Sequence, residues 1–441
     1  MATDPATADS RRGRRPRREL VAASVGSLVE SYDWTVYGVL APYFADQLFP
    51  GTSPTARLVA AYLGFALGFL VRPLGSVVIG WVADTRGRRT ALVLSVGMVA
   101  AGSALIAVVP THAQIGIAAT LLVVLARLVQ GLSVGGEHPS AAAYVTETAP
   151  PSRRFRYSAV SYGGIVLGSA LSLLVLALLL GRYGEDGVRD GAWRIAFAVG
   201  AVLGLVALWI RTGVDESPVF QARAAAPGTS VGIPALLRAN LRPMGVVFLV
   251  TSGATVTFYF CTVYLPVYAD DVARTPRVET ANALLVGMAV LLTAMLAAGW
   301  LADRVGPLRV LRAGFAGLAV VAVPALAGLA GGRLPVVVVA VLLLGLLGLP
   351  LAVNNVFAGE LFPPAVRTLG VGLPAAAAIS LFGGTFPMVA ELLRDTGRVG
   401  WVPWLVAVMS AGALLASWGV RERRPPDTGT ATRPESLTAP R

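Results

Sequence analysis

Twelve apolar stretches, each long enough for a helix of roughly 20 residues and each ended by a polar break, leave this chain one environment to fold in, the hydrocarbon of a bilayer. They lie near 20–45, 57–83, 89–109, 114–146, 157–180, 192–211, 243–269, 280–302, 308–330, 334–358, 368–392 and 400–420. Crossing about 30 Å of hydrocarbon takes roughly 20 helical residues at about 1.5 Å each, so twelve crossings use roughly 240 positions. The 441 residues hold them and leave room for loops. With 55% hydrophobic residues, 14% charged residues and a mean hydropathy of +0.70, a soluble globule is excluded. The expected fold is an all-α membrane protein of twelve transmembrane helices.

Residue types that are scarce exclude several chemistries. One cysteine, Cys261, gives no disulfide framework, and His112 and His138 are too few for a metal centre, so neither metal nor cofactor is expected. All 36 basic residues are arginine. Without lysine there is no P-loop contact to phosphates and no retinal Schiff base, which rules out an ATPase and a rhodopsin. The net charge of +12 is dispersed among hydrophobic spans and not gathered on a polar domain, so a nucleic-acid partner is not expected.

The arginines sort by side. One set lies in residues 1–19, at Arg86, Arg88 and Arg89, at Arg153, Arg154 and Arg156, at Arg211, Arg223, Arg238 and Arg242, at Arg304, Arg309 and Arg312, at Arg367 and beyond Arg421. The alternate connections carry fewer arginines, offset by acids such as Glu185, Asp186, Asp270, Asp271 and Asp395. The positive-inside rule puts both termini in the cytoplasm of a multi-pass plasma-membrane protein. The expected organisation is a disordered tail over 1–19, a six-helix bundle over 20–211, a cytoplasmic linker over 212–242, a second bundle over 243–420 and a tail over 421–441. Within the linker, Ile233, Leu236, Leu237 and Leu241 stand opposite Arg238 and Arg242, the pattern of a short helix lying on the lipid surface.

A repeat divides the chain in half. Gly80-Trp-Val-Ala-Asp84-Thr-Arg86-Gly87-Arg88-Arg89 after the second span returns as Gly299-Trp-Leu-Ala-Asp303-Arg304-Val-Gly306-Pro-Leu-Arg309 after the eighth. In each copy the first glycine lets helices touch, the aspartate caps or pairs with arginine, and the second glycine turns tightly. Internal symmetry of this kind marks secondary transporters built from two related bundles.

The repeated loop resembles the signature of the major facilitator superfamily, with Thr85 and Pro307 as departures. Four segments extend the resemblance over almost the whole chain, to the metabolite:proton symporters that carry dicarboxylates, tricarboxylates, shikimate, aromatic acids, proline or betaine. They are Gly26-Ser-Leu-Val-Glu30-Ser-Tyr32-Asp33-Trp-Thr-Val-Tyr37-Gly38, Gly68-Phe-Leu-Val-Arg72-Pro73-Leu74-Gly75, Arg127-Leu-Val-Gln130-Gly131-Leu-Ser-Val-Gly135-Gly136-Glu137 and Phe382-Gly383-Gly384-Thr385-Phe386-Pro387. The first departs from the branch at Ser31 and Trp34.

Charges inside the spans are the candidate machinery. Glu30 and Asp33 share one face of the first helix, and Asp33 lies roughly 22 Å inward from Arg18, near the midplane. An ionised carboxylate there costs at least about 2.5 kcal/mol, so it faces a cavity, pairs with an arginine or carries a proton. Arg72 and Arg127 also lie deep in apolar sequence, and a guanidinium suits either a carboxylate partner or an anionic substrate. The resemblance associates Arg127 with coupling. For Arg72, the kink at Pro73 makes a packing role an equal alternative. Glu137 follows two glycines where backbone can unwind, and is a second coupling candidate.

The resemblance further implies that Tyr32, Tyr37, Tyr259 and Asn354 line a central cavity with Arg72 and Arg127. Asp84, Arg88, Arg89, Glu147, Arg153, Asp303, Arg304, Glu360 and Arg367 fall at cytoplasmic helix ends and are the candidate gating residues. The function expected is proton-coupled uptake of a small organic acid or a zwitterion by alternating access, in a monomer surrounded by lipid. A proton-coupled exporter of the same superfamily is the nearest rival, and Glu30 and Asp33 argue against it. A membrane enzyme would need a catalytic cluster in a surface loop, and no loop holds one.

Overall fold

The computed structural model describes residues 5–133, 150–212, 239–363 and 367–420. Along them run twelve helical spans. They are α1 (Pro5–Leu48), α2 (Pro54–Leu70, continued as Arg72–Arg86), α3 (Arg88–Val108), α4 (Ile117–Ser133), α5 (Arg154–Gly187) and α6 (Trp193–Thr212) in the first half. The second half holds α7 (Leu241–Tyr259 and Leu265–Ala273), α8 (Arg277–Val305), α9 (Pro307–Ala330), α10 (Val336–Glu360), α11 (Arg367–Ala378 and Phe386–Asp395) and α12 (Val402–Trp418).

Helix ends follow local chemistry. Ser53 caps α2, its hydroxyl accepting from the Ala56 amide at 3.1 Å, and Pro54 opens the helix where no amide is needed. The repeated loop closes on Gly87 and Gly306, with φ of 94° and 97°, a region in which a side chain would be strained. Both second glycines of the repeat therefore make the tight turns expected of them. α1 is helical already from Pro5, whereas a disordered tail is expected to reach residue 19. Arginine is a good helix former, and extending a helix costs far less than nucleating one. Of the expected amphipathic linker helix, Leu241 and Arg242 open α7 and Ile233, Leu236, Leu237 and Arg238 lie outside the described residues, as do the C-terminal tail, Glu137, His138 and Glu147.

Two bundles result. In the first, α1 packs on α5, α2 on α4, and α3 on α4 and α6; in the second, α10 packs on α8 and α9, and α12 on α7 and α9. Glycines set these distances. A Cβ on Gly131 of α4 would stand 2.1 Å from the Gly68 carbonyl of α2, so the two backbones touch. The bundles meet where α5 lies on α8 and α10, α2 on α11, and α1 on α7. Three spans carry π turns, at Val188–Ala192 ahead of α6, Phe260–Tyr264 within α7 and Ile379–Gly383 within α11. Two of them sit where the bundles face one another.

Candidate functional site

Asp33 is sealed inside the first bundle. Its Oδ2 lies 3.3 Å from Arg127 Nη2, with the side chains 1% and 0% exposed. Arg127 and Gln130, three apart on α4, share a face, and Gln130 Nε2 donates to Asp33 Oδ1 at 2.7 Å. The Ser103 hydroxyl of α3 donates to the same oxygen. The Arg127 guanidinium also lies over the Tyr37 ring at 4.3 Å and the Trp34 ring at 5.5 Å. Neither Asp33 Oδ2 nor the Arg127 nitrogens make an aligned hydrogen bond. Charge dominates the pair, and the desolvation of two buried ions offsets much of that attraction.

Arg72 occupies a different setting. Its guanidinium is sandwiched between Trp34 and Phe69, 4.1 Å and 4.0 Å from the ring centroids. Its carboxylate partner is Glu30, whose Oε1 lies 3.9 Å from Nη2, and the two side chains keep 11% and 13% exposure. Pro73 follows directly, at the start of the lower half of α2. The sequence left two partners open for the first-helix acids. The structure sorts them, with Asp33 on Arg127 and Glu30 on Arg72.

Among the aromatic candidates, Tyr32 and Tyr37 are framework. Both are fully buried, and their hydroxyls donate to the Ala196 carbonyl of α6 at 2.7 Å and the Ala61 carbonyl of α2 at 3.0 Å. Tyr32 follows Ser31, whose hydroxyl reaches α5 at the Ile165 carbonyl, so its ring turns into the first bundle instead of toward the second. Tyr259 of α7 is half-buried, meets Phe69 and Phe65 across the bundle boundary at 5.5 Å and 6.0 Å, and lies within electrostatic reach of Arg72. Asn354 of α10 is half-buried, and its Oδ1 is buried with no hydrogen-bond partner.

At the ends that the expected topology places in the cytoplasm, α5 inserts between α8 and α10. Arg154 pairs with Glu360 at 3.2 Å and Arg156 with Asp303 at 3.2 Å, while Asp303 Oδ1 accepts from the Phe155 amide at 3.0 Å. A Cβ on Gly299 would stand 2.7 Å from the Phe155 carbonyl, which is why the helices can touch there. Arg304 stacks on Trp300 at 3.7 Å, and Arg367 Nε donates to the Gly359 carbonyl at 2.9 Å. Arg153 is exposed, and its neighbours Arg154 and Arg156 make the contacts expected of it. Of Asp84, Arg88 and Arg89 only the backbone is described.

A lock at the opposite ends of the bundles was not anticipated from sequence. Glu391 of α11 is fully buried, accepting from Arg394 Nη2 at 2.6 Å and from the Tyr264 hydroxyl at 3.3 Å. Arg394 also donates to Asp271 of α7 at 3.4 Å and to Thr55 of α2 at 3.4 Å, so one side chain ties both bundles together. Ser380 donates to the Phe69 carbonyl at 2.7 Å, and a Cβ on Gly384 would stand 2.7 Å from Phe69 Cβ. The signal was present as Glu391 and Arg394 three apart at the end of an apolar run. Ser103, an ordinary serine in α3, gave none.

Buried opposite charges at the centre of two six-helix bundles, with ion-pair locks between the bundles at both ends, define a secondary active transporter that works by alternating access. The chain belongs to the major facilitator superfamily, whose sequence model matches residues 23–348. It is 35% identical over 426 residues to the alpha-ketoglutarate permease of Escherichia coli (strain K12), a match covering 95% of this chain and 97% of that protein. It is 31% identical over 404 residues to the ectoine/proline transporter ProP of Corynebacterium glutamicum, covering 87% and 80%. Its fold is similar to that of the proton:xylose symporter XylE bound to 6-bromo-6-deoxy-D-glucose, with a TM-score of 0.73 over 91% of this chain and 95% of that one at 16% identity.

Proposed function

We propose that this transporter carries a small organic anion into the cell together with protons, with Asp33 as the coupling carboxylate and Arg72 as the group that receives the substrate carboxylate. The observation that carries the reading is the contrast between the two central pairs. Asp33 and Arg127 are sealed and close, whereas Arg72 and Glu30 are looser and partly open. A proton on Asp33 removes the charge that holds Arg127, and the released guanidinium and its helix are free to rearrange. Arg72, flattened between two rings, presents the edge of its fork, the geometry that suits a carboxylate. Tyr259 and Asn354 stand as polar groups on the facing bundle, and Tyr32 and Tyr37 are left out of the contact set. Each proton moving down 100 mV brings about 2.3 kcal/mol, more than a tenfold gradient.

One observation favours a second substrate class. Glu30 beside Arg72 offers both signs within 3.9 Å, a setting that also suits a zwitterion such as a betaine or an amino acid. The relatives include an alpha-ketoglutarate permease and an ectoine/proline transporter, one of each class. The remaining parts of the reading are a plasma-membrane location, both termini and the 212–242 linker in the cytoplasm, and a monomer in lipid.

Proteoliposomes loaded at neutral pH test the reading with labelled 2-oxoglutarate, succinate, citrate, proline and betaine, with and without an inward proton gradient. Gradient-driven accumulation of an anion is expected. Accumulation of proline or betaine alone would move the assignment to zwitterions. Efflux of a lipophilic dye with no accumulation of any solute would replace uptake by export.

A further inference from the structure

We propose that the proton released from Asp33 on the inner side leaves through a one-water site inside the first bundle, between Glu30, Ser95 and Ser133. The inference rests on the symport reading above. A void of about 10 Å³ is lined by Gly26, Val29, Glu30, Ser95, Val99 and Ser133, room for about one water. Its lining is polar enough to hold one, with the Glu30 carboxylate and two hydroxyls at its wall. Ser95 Oγ donates to the Ser133 carbonyl at 2.8 Å, and Ser133 Oγ donates to the Gln130 carbonyl at 2.6 Å.

The site continues the polar chain that starts at Asp33. Gln130 Nε2 reaches Asp33 Oδ1 at 2.7 Å, Ser103 Oγ at 3.1 Å and the carbonyl of Val99 at 3.3 Å, and Val99 is itself part of the void wall. Gln130 Oε1 is buried without a hydrogen-bond partner, so this chain has an acceptor to spare. Direction agrees on all three helices. Glu30 and Gly26 precede Asp33 on α1, Ser95 precedes Ser103 on α3, and Ser133 follows Gln130 on the antiparallel α4, each displaced toward the cytoplasmic side of the expected topology. The charged and titratable groups facing the route are Asp33, Glu30 and Tyr32 of α1, Arg72 of α2, Arg127 of α4 and Tyr259 of α7. The neutral Asp33 carboxyl gives up its proton and becomes the carboxylate that Arg127 pairs. Glu30, one turn inward, takes that proton and passes it to the water, which carries it out as hydronium.

Filling the void separates proton release from every other step. Net gradient-driven uptake needs release, whereas exchange of labelled for unlabelled substrate across the membrane does not. Using 2-oxoglutarate as the probe in the full chain, Ser95→Leu is expected to slow net uptake about tenfold or more, within the range a positioned proton-transfer group supplies, and to leave exchange within about twofold of the unaltered protein. Equal slowing of both, or of neither, overturns the proposal. If Ser95→Leu does not insert, Ser95→Ala removes the hydroxyl without added bulk and is read by the same comparison. An unaltered protein that neither takes up nor exchanges any of the solutes is instead the failure of the symport reading.

Discussion

Arg127 faces Asp33 across 3.3 Å with both side chains closed to solvent, and no hydrogen bond between them is aligned. The two charges are compulsory partners, since removing either strands the other in a medium that cannot solvate it. Arg127→Gln is expected to destabilise the protein by about 3–5 kcal/mol, and adding Asp33→Asn to recover most of that loss. Thermal unfolding in detergent reads both, and identical melting of the single and double variants would dissolve the pair. Asp33→Asn by itself strands Arg127 and is expected to lower the melting temperature as well as to abolish accumulation against a gradient, while exchange per inserted molecule persists.

Arg72 depends on two rings as well as on its charge. Arg72→Lys keeps the charge but loses the planar stacking on Trp34 and Phe69, worth about 0.5–2 kcal/mol when desolvated. KM for the transported anion is expected to rise roughly tenfold with a smaller change in the maximal rate. An unchanged KM would return Arg72 to a packing role.

At the mouth that the expected topology places outside, Arg394 reaches Glu391, Asp271 and Thr55 together. Arg394→Gln leaves a buried carboxylate without its cation and cuts the tie between α11 and α2. The outer mouth is expected to open, so that a cysteine placed at Ala45, beside the outer cavity of about 200 Å³, reacts faster with a membrane-impermeant maleimide. Cys261, fully buried, stays silent in that assay. Equal labelling with and without Arg394 would show that the lock does not hold the mouth.

The two inner contacts differ in weight. Arg154 and Glu360 keep 33% and 39% exposure, and such a pair is worth at most about 1 kcal/mol. Asp303, 2% exposed, holds a backbone amide as well as Arg156. Asp303→Asn is therefore expected to impair transport severalfold more than Arg154→Gln, with expression level as the control.

A bulkier residue at Gly384 tests closure by shape alone. Its Cβ would approach Phe69 Cβ to 2.7 Å and Ala66 Cα to 3.1 Å, so Gly384→Val is expected to prop the bundles apart at the outer side and stop net uptake. Raised maleimide labelling at Ala45 should accompany the loss.

Much of this architecture could be read from residue patterns. Span length, arginine asymmetry and the repeat around Gly87 and Gly306 each follow from one-dimensional rules, because bilayer thickness and tight turns constrain the chain locally. The intramembrane acids and arginines were legible for the same reason, since charge in apolar sequence is costly wherever it falls. Their pairing was not, because it depends on how α1 is rotated against α2 and α4. That rotation also decides why Tyr32 turns to Ala196 and not to a cavity, and why Arg154 and Arg156, one to three places from Arg153, make the inner contacts. Glu391 was overlooked because a carboxylate near a helix end reads as solvated, and only the approach of α7 and α2 buries it.

Among the described residues, the cations of the contacts at both ends and at the centre are Arg72, Arg127, Arg154, Arg156 and Arg394. A guanidinium keeps its charge at any pH a cell meets, and it is not a substrate for lysine acetylation. Where a change of pH undoes one of these contacts it therefore acts through the acid alone, and half of every clasp is permanently deaf to it.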